Sequence, residues 1–271
     1  MIIQHNISAI NSYRNLGINQ DGLSKNLEKL SSGYRINRAG DDAAGLAISE
    51  NMRRQIGGLN QAATNAKDAI GLIQTAEGAL TETHSMLQRL NVLATQAANG
   101  IYNTTAYGNI KSEVDQLNAE ITRISSSCDF NGIKPFSADA ANGMTFQIGP
   151  SSTETLKVDK KIMTASALSI TACVYTSVTS ANSALTKIEA AINTVASHRA
   201  KLGAAQNRLE HTVNNLKVTS ENISAAESRI RDTDMASEIT SFTKNNILLQ
   251  AAQSMLTQAN AAPQGVLSML Q

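Results

Sequence analysis

Proline is confined to three positions in this chain of 271 residues, Pro135, Pro150 and Pro263. Residues 1–134 and 151–262 therefore contain no side chain that removes a helical hydrogen bond and forces a helix to bend or end. Both segments are long enough for helices of many turns. The distribution predicts a mainly α-helical protein whose two halves are joined by a short region of different structure.

Three segments repeat apolar residues at alternating spacings of three and four, the pattern of a coiled-coil seam. The first seam consists of Ile73, Ala76, Leu80, Thr83, Leu87, Leu90, Ala94 and Ala97. The second consists of Ile110, Val114, Leu117, Ile121 and Ile124. The third consists of Leu185, Ile188, Ile192, Val195, Arg199, Leu202, Gln206, Leu209, Val213 and Leu216. A helix over residues 181–231 would be about 75 Å long, so the seams predict a long antiparallel coiled-coil rod.

Both chain ends carry a weaker form of the same pattern, in which polar side chains such as Asn246 and Gln253 interrupt a narrow apolar stripe. The stripe consists of Ile3, Ile7, Ile10, Leu23, Leu27 and Leu30 at one end and of Ile239, Phe242, Leu249 and Leu256 at the other. Such helices bury too little surface to be stable alone. We expect the ends to be ordered only beside a partner, which is either the other terminus or another copy of the chain.

The region from about residue 130 to about residue 179 has a different texture. It contains the Asn-Gly turn signal in FNGIKPF, short alternating segments in TFQIG and TLKVD, and the β-branched segment ITACVYTSVTS. These features predict one or two β-hairpins and a connector. The region is too short for a further domain of ordinary size.

Charge and targeting signals exclude several classes of function. Lys and Arg total 23 against 22 Asp and Glu, and the net charge of +1 gives no electrostatic reason to bind nucleic acid. No segment approaches the apolar length of a membrane-spanning helix, so membrane insertion is not expected. The N-terminus lacks the basic and apolar regions of a cleaved signal peptide.

The residue types that carry catalysis and metal binding are scattered. His5, His84, His198 and His211 show no metal-binding spacing, so we expect solvated or half-buried helix histidines, no metal site and no cofactor. The segment GDDAAGLA lacks the lysine of a phosphate-binding loop, and its two aspartates, Asp41 and Asp42, are more consistent with capping of a helix after Gly40. Cys128 and Cys173 are expected to be packed small residues, with a disulfide bond between them as the alternative. The sequence does not indicate an enzyme.

Long segments of the chain resemble bacterial flagellin. The segment LEKLSSGYRINRAGDDAAGLAISENMRRQIGGLNQAATNAKDAIGLIQTAEGAL, residues 27–80, is similar to the N-terminal signature of that family. The segment LGAAQNRLEHTVNNLKVTSENISAAESRIRDTDMASEI, residues 202–239, is similar to the C-terminal signature, and QANAAPQGVLSMLQ resembles the terminal motif. With so few residues between the two halves, the chain resembles a short form that lacks large outer domains.

The resemblance implies a structural subunit that polymerises into the flagellar filament. It implies that residues 1–44 and 231–271 pair as a coiled coil in the filament core, and that residues 45–230 form a helical rod domain with the hairpin region at about 130–180. It also implies extracellular placement after export without a cleaved signal. The implied partners are other copies of the chain, a flagellar export chaperone, and the hook-associated and cap proteins.

The resemblance further implies recognition by two innate immune receptors. LQRLNVLATQAANG, residues 87–100, is similar to the segment with which flagellins bind Toll-like receptor 5. The matching positions are Gln88, Arg89, Leu93, Gln96 and, on the neighbouring helix, Glu113. Val92 stands where strongly stimulating members have Glu, which predicts weaker signalling. The apolar positions near the C-terminus that resemble the portion recognised by cytosolic NAIP receptors are Val266, Leu267 and Leu270.

Two other functions are less consistent with the sequence. A hook-filament junction protein or another minor axial protein would resemble flagellin at its ends, whereas the resemblance here also covers the middle helices. An enzyme carried on a flagellin scaffold would need an inserted domain, and the metalloprotease motif HExxH is absent.

Overall fold

The computed structural model describes residues 5–136, 143–173 and 175–269. Within these residues the chain forms five α-helices and one pair of β-strands. In chain order these are α1 (Ile7–Ser32), α2 (Ala43–Ala97), α3 (Thr104–Ser127), β1 (Met144–Gln147), β2 (Thr155–Val158), α4 (Val178–Arg231) and α5 (Met235–Met269). The predicted mainly α fold with a small hairpin region is confirmed, and α4 matches the helix predicted over residues 181–231.

Short polar side chains set the starts of four helices. The side-chain oxygens of Asn6, Asp42, Asn103 and Asp234 accept hydrogen bonds from the backbone N–H groups of Ala9, Gly45, Ala106 and Ala236, at 3.1, 2.8, 2.8 and 2.9 Å. These bonds satisfy N–H groups that have no partner within the first helical turn. The expected capping role is thereby confirmed for Asp42, at the start of α2.

The chain divides into two compact units. One unit is Gly57–Ser220, and the other consists of Met1–Ile56 together with Glu221–Gln271. The division predicted from the sequence lies at residues 44/45 and 230/231. That division concerns which residues form the filament core, and it stays a prediction.

The unit Gly57–Ser220 has one hydrophobic core, to which α2, α3, α4, the hairpin and the connector contribute. All eight residues of the first predicted seam are buried in α2. In the second seam Leu117 and Ile124 are only half-buried, while Ser125 is buried.

Six of the ten residues predicted for the third seam are buried in α4, and the other four are not. Leu185, Ile192, Arg199 and Gln206 are half-buried at its flank. The fully buried row runs through Ala181, Ala184, Ile188, Ala191, Val195, His198, Leu202, Leu209, Val213 and Leu216. Small alanine side chains can occupy the centre of a close helix contact, which leaves the larger Leu185 and Ile192 at the side. The burial of His198 also corrects the expectation that every histidine would be solvated or half-buried.

Within its described residues, the middle region contains one hairpin. β1 pairs with β2 in antiparallel register, with Met144 opposite Val158 and Gln147 opposite Thr155. The Asn131–Gly132 turn is confirmed, because both residues have positive φ angles, 51° and 81°, and Phe130 and Ile133 form an isolated bridge around it. The segment ITACVYTSVTS, predicted as β-like, forms no strand in its described residues and leads into α4.

Two adjacent glycines in α2 have different surroundings. A Cβ atom at Gly57 would have no neighbour within 4 Å, whereas one at Gly58 would lie 2.8 Å from Cβ and 3.4 Å from Cα of Pro150. Gly58 therefore permits the close approach of the loop that carries Pro150, and Gly57 has no packing role.

These surroundings predict opposite effects of the same substitution. Gly57→Ala should raise the free energy of unfolding by about 0.5–1 kcal/mol, because alanine loses less backbone entropy in a helix. Gly58→Ala should lower it by about 1–3 kcal/mol, because its methyl group would overpack against Pro150. Urea unfolding of the two variants measures the difference, and equal stabilisation by both would contradict the packing assignment.

Candidate functional site

The two terminal helices pack against each other through half-buried side chains and a few polar contacts. Asn6 Nδ2 donates to the carbonyl oxygen of Ala259 at 2.7 Å, and Lys29 Nζ lies 4.0 Å from Glu238 Oε2. Asn26 is the buried residue of α1, and the described side chains of α5 include none that is fully buried. This interface therefore buries little apolar surface.

The predicted terminal stripe divides into two sets. The half-buried set consists of Leu23, Leu30, Phe242, Leu249 and Leu256. The exposed set consists of Ile7, Ile10, Leu27 and Ile239. The role of both sets in self-assembly stays a prediction. Ile3 lies outside the described residues.

A groove runs along one side of the α1–α5 pair. Its volume is about 380 Å³, and Ile18, Leu248, Ala252 and Met255 supply much of its apolar lining. Ile18 is 62% exposed and Met255 is 63% exposed. The sequence analysis did not single out these residues, because they lie beside the stripe that the heptad spacing selects. Exposed apolar side chains around a groove are typical of a surface that another protein covers.

Arg231, the last residue of α4, contacts the segment that follows α1 and the beginning of α2. Its guanidinium carbon lies 4.7 Å above the centre of the Tyr34 ring, and its Nη1 lies 2.8 Å from Glu50 Oε1. The backbone N–H of Arg35 donates to the carbonyl oxygen of Arg231 at 2.7 Å. The side chain of Arg231 thus makes the cation–π and ionic contacts, and its backbone carbonyl accepts the third; the residue was not predicted as a site, although it lies within the segment that resembles the C-terminal signature.

The predicted receptor face contains an ion pair between two helices. Arg89 on α2 places Nε and Nη2 each 2.7 Å from Oε1 of Glu113 on α3. Gln88 and Gln96 are exposed on α2, and Gln96 Nε2 donates to the hydroxyl of Tyr102 at 3.3 Å. These four predicted positions therefore lie at least partly on the surface.

Leu93 does not join this surface. Its side chain is 2% exposed and belongs to the core, as do Leu87 and Leu90. The resemblance implies Leu93 as a receptor-binding position together with Arg89 and Gln96, whereas the neighbouring Val92 is the exposed residue, at 56%. Leu93 can contribute to a receptor surface only indirectly, by packing in the core beneath the exposed residues of α2.

Family comparison accounts for both halves of the chain. The family model described as the bacterial flagellin N-terminal helical region matches residues 3–141, and that of the C-terminal helical region matches residues 185–270. The chain is 50% identical to the flagellin of Halalkalibacterium halodurans and 48% identical to that of Bacillus subtilis, with all of both chains covered in each case.

The chain belongs to the bacterial flagellin family.

As a flagellin, the protein is a subunit of the flagellar filament. It is a short form, because the residues between the two matched regions contain, in their described part, only the hairpin and the connector. The crystal structure of Bacillus cereus flagellin is similar in fold, with 30% identity and a TM-score of 0.52. The matched region covers 60% of this chain and 94% of the Bacillus cereus chain.

The structure also bears on the two cysteines, on metal binding and on the segment that resembles one recognised by NAIP receptors. Cys128 and Cys173 are free, and burial raises the pKa of both thiols. The described residues contain no group of three or more side chains suited to holding a metal ion. Among them, no helix has both the length and the apolar character to cross a membrane. Of the positions that resemble a NAIP-recognised segment, Val266 and Leu267 lie in α5, and Leu270 lies outside the described residues.

The interface between α1 and α5 predicts a difference between monomer and filament. Limited proteolysis of the monomer should remove both ends and leave a stable fragment within about residues 45–230, because the terminal pair buries too little apolar surface to resist opening. The same protease should leave the ends intact in filaments. Equal protection of the ends in both samples, measured by mass spectrometry of the fragments, would contradict this prediction.

Proposed function

We propose that this flagellin polymerises by covering the exposed apolar side chains of α1 and α5 with the same helices of neighbouring subunits. The observation that carries the proposal is the groove lined by Ile18, Leu248 and Met255, beside a helix pair whose described residues include no fully buried apolar side chain. A helix pair that buries few apolar side chains gains stability when a neighbour covers the rest.

In this proposal, residues 1–44 and 231–271 form the filament core and residues 45–230 lie outside it. The terminal helices become ordered on assembly, so that the chain can leave the cell unfolded. An export chaperone covers the C-terminal helix before export, because its apolar side chains would otherwise promote premature assembly. The hook-associated and cap proteins contact the same helices at the two ends of the extracellular filament.

A charge in the groove tests the assembly surface. Met255→Asp should prevent seeded filament growth, because a buried and unpaired carboxylate costs several kcal/mol. A loss of about 3 kcal/mol corresponds to a critical concentration roughly a hundredfold higher. Light scattering and electron microscopy of seeded polymerisation measure the effect. Leu256→Asp should also stop growth, because Leu256 is half-buried in the α1–α5 pair.

Ser254→Asp is the matched control for Met255→Asp. It adds the same charge at the adjacent exposed position of α5, outside the groove lining, where Ser254 Oγ bonds only to the carbonyl oxygen of Gln250. Growth of the Ser254 variant beside failure of the Met255 variant supports the groove as the contact. Normal growth of the Met255 variant would remove the groove from the assembly surface.

We also propose that the Arg89–Glu113 surface is the contact with Toll-like receptor 5. The proposal is supported by the resemblance of residues 87–100 and by the exposed ion pair, in which Arg89 keeps guanidinium donors for a partner. Gln88 and Gln96 extend the surface along α2. Recognition by NAIP receptors through Val266, Leu267 and Leu270 is a second proposal of the same kind, supported by the resemblance alone.

The receptor proposal predicts that Val92→Glu increases signalling several-fold in reporter cells. Val92 is exposed one turn from Arg89, so a carboxylate there would add a second ionic contact to the surface. An exposed ion pair contributes about 0.2–1 kcal/mol, which limits the gain.

Arg89→Ala and Arg123→Ala form the accompanying control pair. Arg123 is also exposed and ion-paired, with Glu120, but this pair lies within α3. Arg89→Ala should lower the potency of the protein and Arg123→Ala should not. Equal potency of all three variants and the wild type would exclude this face as the receptor contact.

A further inference from the structure

A second, smaller cavity lies between the hairpin and α4 in the unit Gly57–Ser220. Its volume is about 120 Å³, and its polar lining consists of Lys157 and Asp159 from β2 and its end and of His198 and Lys201 from α4. Cavities that hold drug-sized molecules are several times larger, about 300–1,000 Å³. This space therefore suits a small ion.

His198 is a buried polar group without a protein partner at this cavity. It is 5% exposed and follows Val195 in the buried row of α4. Among the described residues, none forms a hydrogen bond with its imidazole ring. Burial lowers the pKa of His198. The positive charges of Lys161 and Lys201 lower this pKa further, and the negative charge of Asp159 raises it. The side chain of His198 lines the cavity, so its ring is within reach of a small ligand that enters there.

The cavity is surrounded by more positive than negative charge. Lys157 and Lys201 line it and Lys161 lies close enough to act on His198, whereas Asp159 is the acidic residue of the lining. Within the described part of the chain, these three lysines form no ion pair with a carboxylate. An anion in the cavity would satisfy the lysine ammonium groups and the ring of His198 together.

We propose that this cavity binds inorganic phosphate. The lysines and an N–H group of the imidazole donate to phosphate oxygens, and Asp159 accepts the hydrogen bond of the P–OH group of monohydrogen phosphate. Sulfate is fully deprotonated at neutral pH and has no proton to donate, so Asp159 repels it. Residues of both β2 and α4 contact the anion, so the anion connects these two elements.

The experiment follows the ring signals of the four histidines by NMR in the full-length protein, below the concentration at which filaments form. His198 is assigned by loss of its signal in His198→Gln. Phosphate replaces chloride at constant ionic strength. The expected result is a saturable shift of the His198 signal and a raised pKa of His198, because a nearby anion favours the charged imidazole. His211, exposed on the same helix, should show neither change.

Matched lysine variants test where the phosphate binds. Lys201→Gln should weaken binding roughly tenfold, the loss expected for one charge-assisted hydrogen bond. Lys217→Gln removes an exposed lysine of α4 outside the cavity and should leave binding unchanged. Asp159→Asn should abolish the preference for phosphate over sulfate. A His198 signal that does not saturate, equal binding by the two lysine variants, or equal wild-type affinity for sulfate would each overturn the proposal.

Discussion

Burial of the helix seams in the unit Gly57–Ser220 is the interaction on which the other features depend. Ala76, Ala94, Ala184 and Ala191 lie in these seams beside larger apolar side chains. Short side chains let helices approach closely, while leucine and isoleucine fill the remaining space. The resulting core fixes α2 relative to α3, and only then can Arg89 and Glu113 meet on the surface from two separate helices.

The terminal helices use the same helical period with different chemistry. Their interface contains side-chain amides and an ion pair at Asn6, Asn26, Lys29 and Glu238, where α2 and α4 bury leucine and alanine. Polar contacts that form in water contribute little net stability, whereas apolar burial contributes with every side chain covered. We therefore expect the unit Gly57–Ser220 to be stable by itself and the stability of the ends to depend on neighbouring subunits.

In the hairpin, too, some side chains belong to the hydrophobic core and others lie on the surface. Successive side chains of a strand point to opposite faces, so β2 buries Leu156 and Val158 in the core and exposes Lys157 between them. The same alternation exposes Asp159, just after the strand. One short strand thus contributes both to the hydrophobic core and to the charged cavity beside His198.

Local rules in the sequence determined the helices, the Asp42 cap, the Asn131–Gly132 turn and the eight predicted seam residues of α2. Each depends on residues close together in the chain, so spacing and residue type were sufficient. Spacing could not decide between neighbouring rows of a helix that are both apolar. In α4 the row through Ala184 and Ala191 is buried, and the row through Leu185 and Ile192 lies at its flank.

The tertiary structure also decided which single residues are buried and which are exposed. Leu93 is buried while Val92 is exposed, Ile7 and Ile10 face outward, and His198 lies in the core. Burial depends on which element packs opposite a side chain, and that element comes from a distant part of the sequence. The sequence therefore determined the family and the elements of the fold, and only packing decided which apolar and ionisable side chains remain free to meet a partner.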